Sequence, residues 1–475
     1  GEVGISVVNA SLQPMAVRGN HAGNTGQKLS LLFTMIAHRT FLLTSRLTGN
    51  RRVRVSAMTS LAKVFKQAAF GALLLGATIS NVAASEFQPR RGINLDQWVT
   101  WPAETQWADP VAMLPFPEWR KTLNEAGLAE LKAAGFDFVR MPVDPSPFLS
   151  PTAAPLRSQL LDQVLESVRL INSAELGVIV DLHLIPSSSA RAIGVHEVLR
   201  DAGMFDAYVG LVRDFGRLLS KEDPTRVAFE LMNEPVIDCD NESANTWPEM
   251  QKRLFAAARA SATRLTLVLT GACYSSAGRL AKIDPKDYPD DNIIWGFHSY
   301  NPFLLTHQGA TWAGDFIPYV TGLPYPPYSV PRPELDAIIE RIKEKMRAEA
   351  PFTRRDGLVS YLDELLATVD TKDKLETVIE EPFTTVGQWA QSNGIPPNDI
   401  LLGEFGMIRQ EYGNDFVMPA ASRAAYYEAM IDHAEKHGFG WSMWSYGGAF
   451  GVVEAFEGKK AEPDVLEMVR GLVRN

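Results

Sequence analysis

From Arg91 onward the chain switches repeatedly between short apolar runs and longer amphipathic ones, and this rhythm limits the fold more than any other feature. The strand-like runs are GINL (92–95), FDFVRMPV (136–143), GVIVDLHL (177–184), VAFELMNEP (227–235), LTLVLTGA (265–272), NIIWGFHSY (292–300), ILLGEFGM (400–407) and FGWSMWSY (439–446). Helix-like segments fall near 118–134, 157–174, 203–220, 246–263, 374–392 and 419–437, with 462–473 closing the chain. The strand runs are almost continuously apolar, as in parallel strands covered on both faces. Eight such alternations predict an α/β fold of the (β/α)8 TIM-barrel type rather than an open sheet. Only about twenty residues separate the fifth and sixth strands, so the fifth helix is poorly marked.

One connection is far longer than a βα unit requires. Roughly a hundred residues lie between His298 and Glu404, against the handful usual for such loops. The Pro-rich stretch PYVTGLPYPPYSVPRP (318–333) reads as extended, and charged helices follow at 334–349, 356–369 and 374–392. The expectation is a long elaborated loop after strand 6, with residues 304–399 shaping subsites over the active face rather than forming a separate domain. No internal repeat interrupts the pattern.

Charge divides the chain unevenly. Residues 1–84 carry nine Lys/Arg and one acid, whereas residues 85–475 carry 37 basic and 55 acidic residues. So acidic a body repels phosphate backbones, which argues against nucleic acid and for a neutral or basic ligand. Within the basic part, Met58 opens a stretch with Lys63 and Lys66, an apolar run from Ala68 to Ile79 and the small-residue site Val82-Ala83-Ala84. This has the form of a signal peptide cleaved after Ala84, and its apolar run is short for a bilayer. The expected organisation is an upstream or ill-ordered segment at 1–57, a signal peptide at 58–84 and a catalytic domain at 85–475, secreted or periplasmic with no membrane span in the mature part. Cys239 and Cys273 are the two cysteines; in an oxidising compartment they could pair or remain two thiols. No Cys/His cluster or zincin motif is present, so no metal site is expected.

Polar residues collect where the apolar strands end: Arg140 in FVRMPV, His183 after VIVDL, Asn233 and Glu234 after FELM, His298 and Tyr300 in WGFHSY, Glu404 in LLGE and Trp444 in the last strand. Such ends converge on one rim of a barrel, and burying charge there is costly unless the groups are partnered. Glu234 and Glu404 close the fourth and seventh runs, so they face each other across the mouth. Cleaving an acetal requires a proton for the leaving oxygen and negative charge beside an oxocarbenium-like carbon. Two carboxyls about 5–5.5 Å apart supply both by a covalent route, whereas a wider gap admits water and inverts.

NEP at 233–235 after VAFELM resembles the acid/base signature of glycoside hydrolase family 5 and its clan. VRMPV, DLH, HSYNPF, GEFG and WSMWSYGG follow the family pattern in order, so the resemblance spans residues 90–473. It implies a barrel, retention of anomeric configuration and no cofactor. It further implies that Glu234 is the acid/base and Glu404 the nucleophile, with Asn233 on the sugar 2-hydroxyl. Arg140 and Tyr300 would keep Glu404 ionised, His183 and His298 would bind hydroxyls and carboxylates, and Trp444 would face a pyranose ring. An endo-β-1,4-glucanase acting on a β-linked oligo- or polysaccharide is the first expectation. β-Mannanase, β-1,3-glucanase and exo-β-glycosidase activities share its chemistry. A non-catalytic carbohydrate-binding barrel is the alternative of another class, disfavoured because a binder has no need of opposed carboxylates. Trp98, Trp101, Trp107 and Trp312 lie in loops, as sugar platforms or packing plugs. His307 and Gln308 either approach the substrate or pack the loop.

Overall fold

The computed structural model describes residues 85–474, apart from 97, 115–122, 241–244 and 457–458. The expected signal peptide and the segment before it lie outside the described residues. Eight parallel strands close into a barrel in simple sequence order: β1 (Arg91–Asn94), β2 (Phe138–Val143), β3 (Gly177–Leu182), β4 (Val227–Glu230), β5 (Thr266–Thr270), β6 (Ile293–His298), β7 (Ile400–Phe405) and β8 (Gly440–Met443). Seven strands fall inside their apolar runs, β1 begins one residue before its own at Arg91, and β1 pairs with β8 to complete the ring.

The longer helices are α1 (Glu125–Ala134), α2 (Arg157–Ser173), α3 (Ala202–Leu219), α4 (Trp247–Arg259), α5 (Arg332–Glu349), α6 (Arg355–Leu366), α7 (Lys372–Asn393), α8 (Ala420–His437) and α9 (Asp464–Arg474). Local chemistry sets several of their ends. Asn124 caps α1 by accepting from the Gly127 N–H, Asp201 caps α3 by accepting from the Met204 N–H, and left-handed Gly135, Gly394 and Gly438 terminate α1, α7 and α8. Between β5 and β6 the chain makes only single turns, at Ala272–Ser275 (left-handed), Ala277–Leu280 and Pro285–Asp287. This is why no helix was conspicuous there in the sequence.

The region after β6 is elaborated as expected, but its parts are built in rather than free. Val320, Leu323 and Tyr325 of the Pro-rich stretch are buried, and Tyr325 packs edge-on against Tyr426 of α8. Helix α7 completes the barrel wall: Phe383 packs against Phe297 of β6 and Phe439, and Trp389 against Trp295. Among the described residues, no helix is long and apolar enough to cross a membrane.

Two layers fill the barrel interior. Phe87, Phe138, Ile179, Ala228, Val268, Ile294 and Leu401 form an apolar plug at one level. One pleat step of two residues along β2, β3 and β4 leads from Phe138, Ile179 and Ala228 to Arg140, Asp181 and Glu230. The strands thus change from apolar to charged as they approach their C-terminal ends, and the site is built on that second layer.

Candidate active site

Arg140 is the hub, and its side chain is wholly buried. Its Nε and Nη2 donate to the two carboxylate oxygens of Glu230 at 2.7 and 2.8 Å. Nη1 donates to Glu404 Oε1 at 2.7 Å and to Asn94 Oδ1 at 2.9 Å. Nη2 also reaches Asn233 Oδ1 at 2.9 Å and Asp181 Oδ2 at 2.9 Å. A planar guanidinium is the side chain that can serve so many acceptors at fixed angles. Surrounding anions hold Arg140 well above the usual guanidinium pKa despite its burial. Asp181, by contrast, is pushed up to about 7, because burial outweighs the attraction of Arg140.

Glu404 sits at the end of β7, where pairing with β6 shifts between Phe297 and His298. Its second oxygen accepts from the Tyr300 hydroxyl at 2.9 Å. Both oxygens are therefore oriented, one by a cation and one by a phenol. Gly403 leaves room for this arrangement: a Cβ there would lie 3.0 Å from His298 Nε2.

Glu234 stands four residues beyond β4, half-buried, with a backbone φ of 38°. His298 Nδ1 lies 2.8 Å from Glu234 Oε1 and 3.6 Å from Glu404 Oε2. One ligand atom from each of Glu234, His298 and Glu404 lies within 4.8 Å of the other two. Burial pushes the Glu234 carboxyl up to about 7, opposed by the charges of His183 and Arg140. Burial also lowers His298 to about 4, so near neutrality its imidazole is uncharged. The pair thus shares a proton between a carboxyl and a neutral ring, beside a second carboxylate anchored by Arg140. Two carboxyls with different environments can divide acid and nucleophile work. Among the described residues this trio is the group placed to hold a metal ion; Arg140 and Tyr300 already occupy the Glu404 oxygens, and a cation 2.7 Å from one of them opposes a second positive charge.

The remaining expected residues join the same rim. His183 Nδ1 lies 2.7 Å from Asp181 Oδ2, and its Nε2 lies 3.2 Å from Asn233 Nδ2. Trp444 is half-buried and stacks on His183 with ring centres 5.6 Å apart. All eight residues singled out from the sequence are brought together.

A model of "Cellulase (glycosyl hydrolase family 5)" matches residues 102–450. The chain belongs to glycosyl hydrolase family 5. As a member of that family it is a glycoside hydrolase. It is 23% identical over 361 residues to Endoglucanase C of Acetivibrio thermocellus, covering 75% of this chain and 91% of that one. It is 27% identical over 226 residues to Endoglucanase 3 of Fibrobacter succinogenes, covering 48% of this chain and 30% of that longer protein. Among solved structures, the cellulose synthase subunit Z of Clostridioides difficile aligns with a TM-score of 0.56 at 21% identity, over 80% of this chain and 99% of the other. Cel5A of Thermotoga maritima with cellobiose aligns at 0.54 and 20% identity, over 80% and 97%. At such identities the two structures speak to the fold alone.

The family 5 site contains supports that sequence reasoning did not single out. Asp181 and Glu230 carry the hub, and each was visible as an acid inside an apolar strand run. Asn94 holds Arg140 and donates to the carbonyls of Gly403 and Met443. Asp96 accepts from the Gly447 N–H at 3.0 Å, and its carboxyl is raised to about 7, mainly by burial. His307 is buried, lowered to about 3 by burial and enclosed by Phe303, Tyr300, Trp312 and Phe450. Gln308 bonds back to Leu323 in both directions and so ties its loop together. Of the loop tryptophans, Trp98, Trp101 and Trp107 are buried packing plugs, while Trp312 is half-buried.

Proposed function

We propose that this glycoside hydrolase, which acts on β-glycosidic bonds, works by double displacement with Glu404 as nucleophile and Glu234 as acid/base. The observation carrying the proposal is the close approach of Glu234, His298 and Glu404, whose functional atoms lie within 4.8 Å of one another. A gap that small suits direct attack on the anomeric carbon and retention, not a water held between two carboxyls. The carboxyl at about 7 is the natural proton donor, and the one tethered to Arg140 and Tyr300 is the natural nucleophile. Asn233, whose Nδ2 lies 3.2 Å from His183 Nε2, is proposed to hold the sugar 2-hydroxyl, and Trp444 to face its ring.

For substrate, an endo-β-1,4-glucan is favoured. Relatives named endoglucanases align across most of the domain, one over 91% of its length, and a related barrel was solved with cellobiose. β-Mannan is the second reading, because the Thermotoga maritima barrel was also solved with mannotriose. Export from the cytoplasm is part of the proposal, and N-terminal sequencing of secreted protein should begin at Ser85.

The two glutamates are separable by experiment. Glu404→Ala should abolish activity by several orders of magnitude on every substrate. Glu234→Ala should still be glycosylated by a dinitrophenyl glycoside, giving a burst of phenol and a slow steady state. Azide should restore turnover in Glu234→Ala with a β-glycosyl azide, and in Glu404→Ala should yield the α product. The same azide product from both variants, or release of inverted sugar by wild type, would overturn the assignment.

A further inference from the structure

Left-handed backbone is concentrated on one side of the rim. Apart from Glu175, the described non-glycine residues with positive φ are Glu234 and Asp238 after β4, and Cys273, Tyr274 and Ser275 after β5. Three consecutive side-chain-bearing residues in that region are unfavourable, and such a turn persists only where its surroundings over-determine it. Here they do. A Cys239–Cys273 disulfide joins the two loops across a sequence separation of 34, with Cα atoms 4.8 Å apart. Beside it, the Cys273 N–H donates to the Ile237 carbonyl at 3.1 Å. Asp238, the neighbour of Cys239, accepts from the Thr246 and Trp247 N–H groups at the start of α4. On its other side the turn continues into a parallel bridge between Ser276 and His298, the residue bonded to Glu234.

At the crest of this turn Tyr274 is 44% exposed. Its phenol is raised by partial burial and, to a lesser degree, by the Glu234 charge. The fold thus uses a strained, cross-linked turn to hold a half-exposed aromatic ring, and the cross-link ties that turn to the loop that carries Glu234.

We propose that the Cys239–Cys273 bond is a positioning element of the reaction: it locks Glu234 and the rim residue Tyr274 into one shelf, against which the departing sugar rests while it is protonated. The inference rests on Glu234 being the acid/base. Protonation of a leaving group requires the carboxyl within hydrogen-bond reach of the glycosidic oxygen. A loop relaxing from its left-handed geometry would carry Glu234 out of that reach while leaving Glu404, on the opposite side of the barrel, in place.

The test compares leaving groups. Wild type, the double variant Cys239→Ser/Cys273→Ser, Tyr274→Ala and Glu234→Gln are assayed on a dinitrophenyl β-cellobioside and on a cello-oligosaccharide of fixed length. Melting temperature is recorded for each. The double variant should lose at least about tenfold more kcat/KM on the oligosaccharide than on the dinitrophenyl substrate, because only the former requires the acid. Tyr274→Ala should raise KM for the oligosaccharide more than it changes kcat. Equal losses on both substrates, or none, would reduce the disulfide to a stability feature and overturn the proposal. If the double variant does not fold, native protein reduced with a phosphine and alkylated serves instead, since Cys239 is exposed. Glu234→Gln separates the two claims. If it shows no leaving-group discrimination, the acid/base assignment falls and the shelf with it; if it does and the cysteine variant does not, only the shelf falls.

Discussion

Burial makes Arg140 wholly dependent on its partners, and makes them dependent on it. Glu230, Asp181 and Glu404 are buried acids that share this one guanidinium. Arg140→Met should therefore destabilise the fold by about 3–5 kcal/mol, the usual cost of orphaning a buried ion pair, and abolish activity. Thermal melting and residual hydrolysis would read both effects. Glu234 behaves oppositely. Its folded carboxyl titrates near 7 rather than at its ordinary value of 4.5, so the stability it contributes is complete below the ordinary value and is lost as pH rises through 7. Glu234→Gln should stabilise the protein at pH 8 by on the order of 1–3 kcal/mol and change little at pH 4. The same titration sets a kinetic limb: kcat/KM on an oligosaccharide should fall above pH 7, while that on a dinitrophenyl glycoside should stay level there. A common fall on both substrates would contradict a proton-donor role for Glu234.

At the scale of elements, strands were legible because apolar runs bounded by polar residues have one stable arrangement in a parallel barrel. The same logic places Arg140, Glu234, His298 and Glu404 on one rim from the sequence alone. The second layer of support is not legible in this way. Asp181 and Glu230 lie within apolar runs, and nothing in the alternation says that buried acids one and two strands away will find Arg140. The loop tryptophans were ambiguous for a related reason: an indole packs or stacks according to whether its loop closes over it, and Trp101 closes by donating to the Asp144 carbonyl. The second glycine of the GEFG motif, Gly406, was similarly opaque in function. A Cβ at Gly406 would lie 2.2 Å from the Trp444 carbonyl oxygen, so the ends of β7 and β8 can meet only if that position is bare. Gly406→Ala should cost roughly 2–4 kcal/mol of stability, within the range for severe overpacking or backbone displacement. Because it shifts Trp444, it should also weaken binding of the oligosaccharide more than that of an aryl glycoside. A melting temperature equal to wild type would show that the strand ends have more freedom than this contact allows.

Across the whole molecule, the excess of acid in residues 85–475 bears on what can approach the cleft. A neutral glucan feels no long-range force, so its kcat/KM should change less than about twofold between 20 and 500 mM salt. Carboxymethylated cellulose, being anionic, should be hydrolysed several-fold faster as salt screens the repulsion. A neutral substrate with the same salt response would point instead to a salt effect on the site itself.

The ring closes through its most distant parts: Arg91 pairs with Trp441, and the Gly447 N–H reaches Asp96, 351 residues earlier. During synthesis, then, the first strand waits for the last. Until the ribosome has delivered Met443, the growing sheet has two unpaired edges and no finished interior, and it becomes neither compact nor active by instalments. A nascent chain of this kind should stay open to proteases until its final strand emerges, and should acquire resistance and hydrolytic activity together.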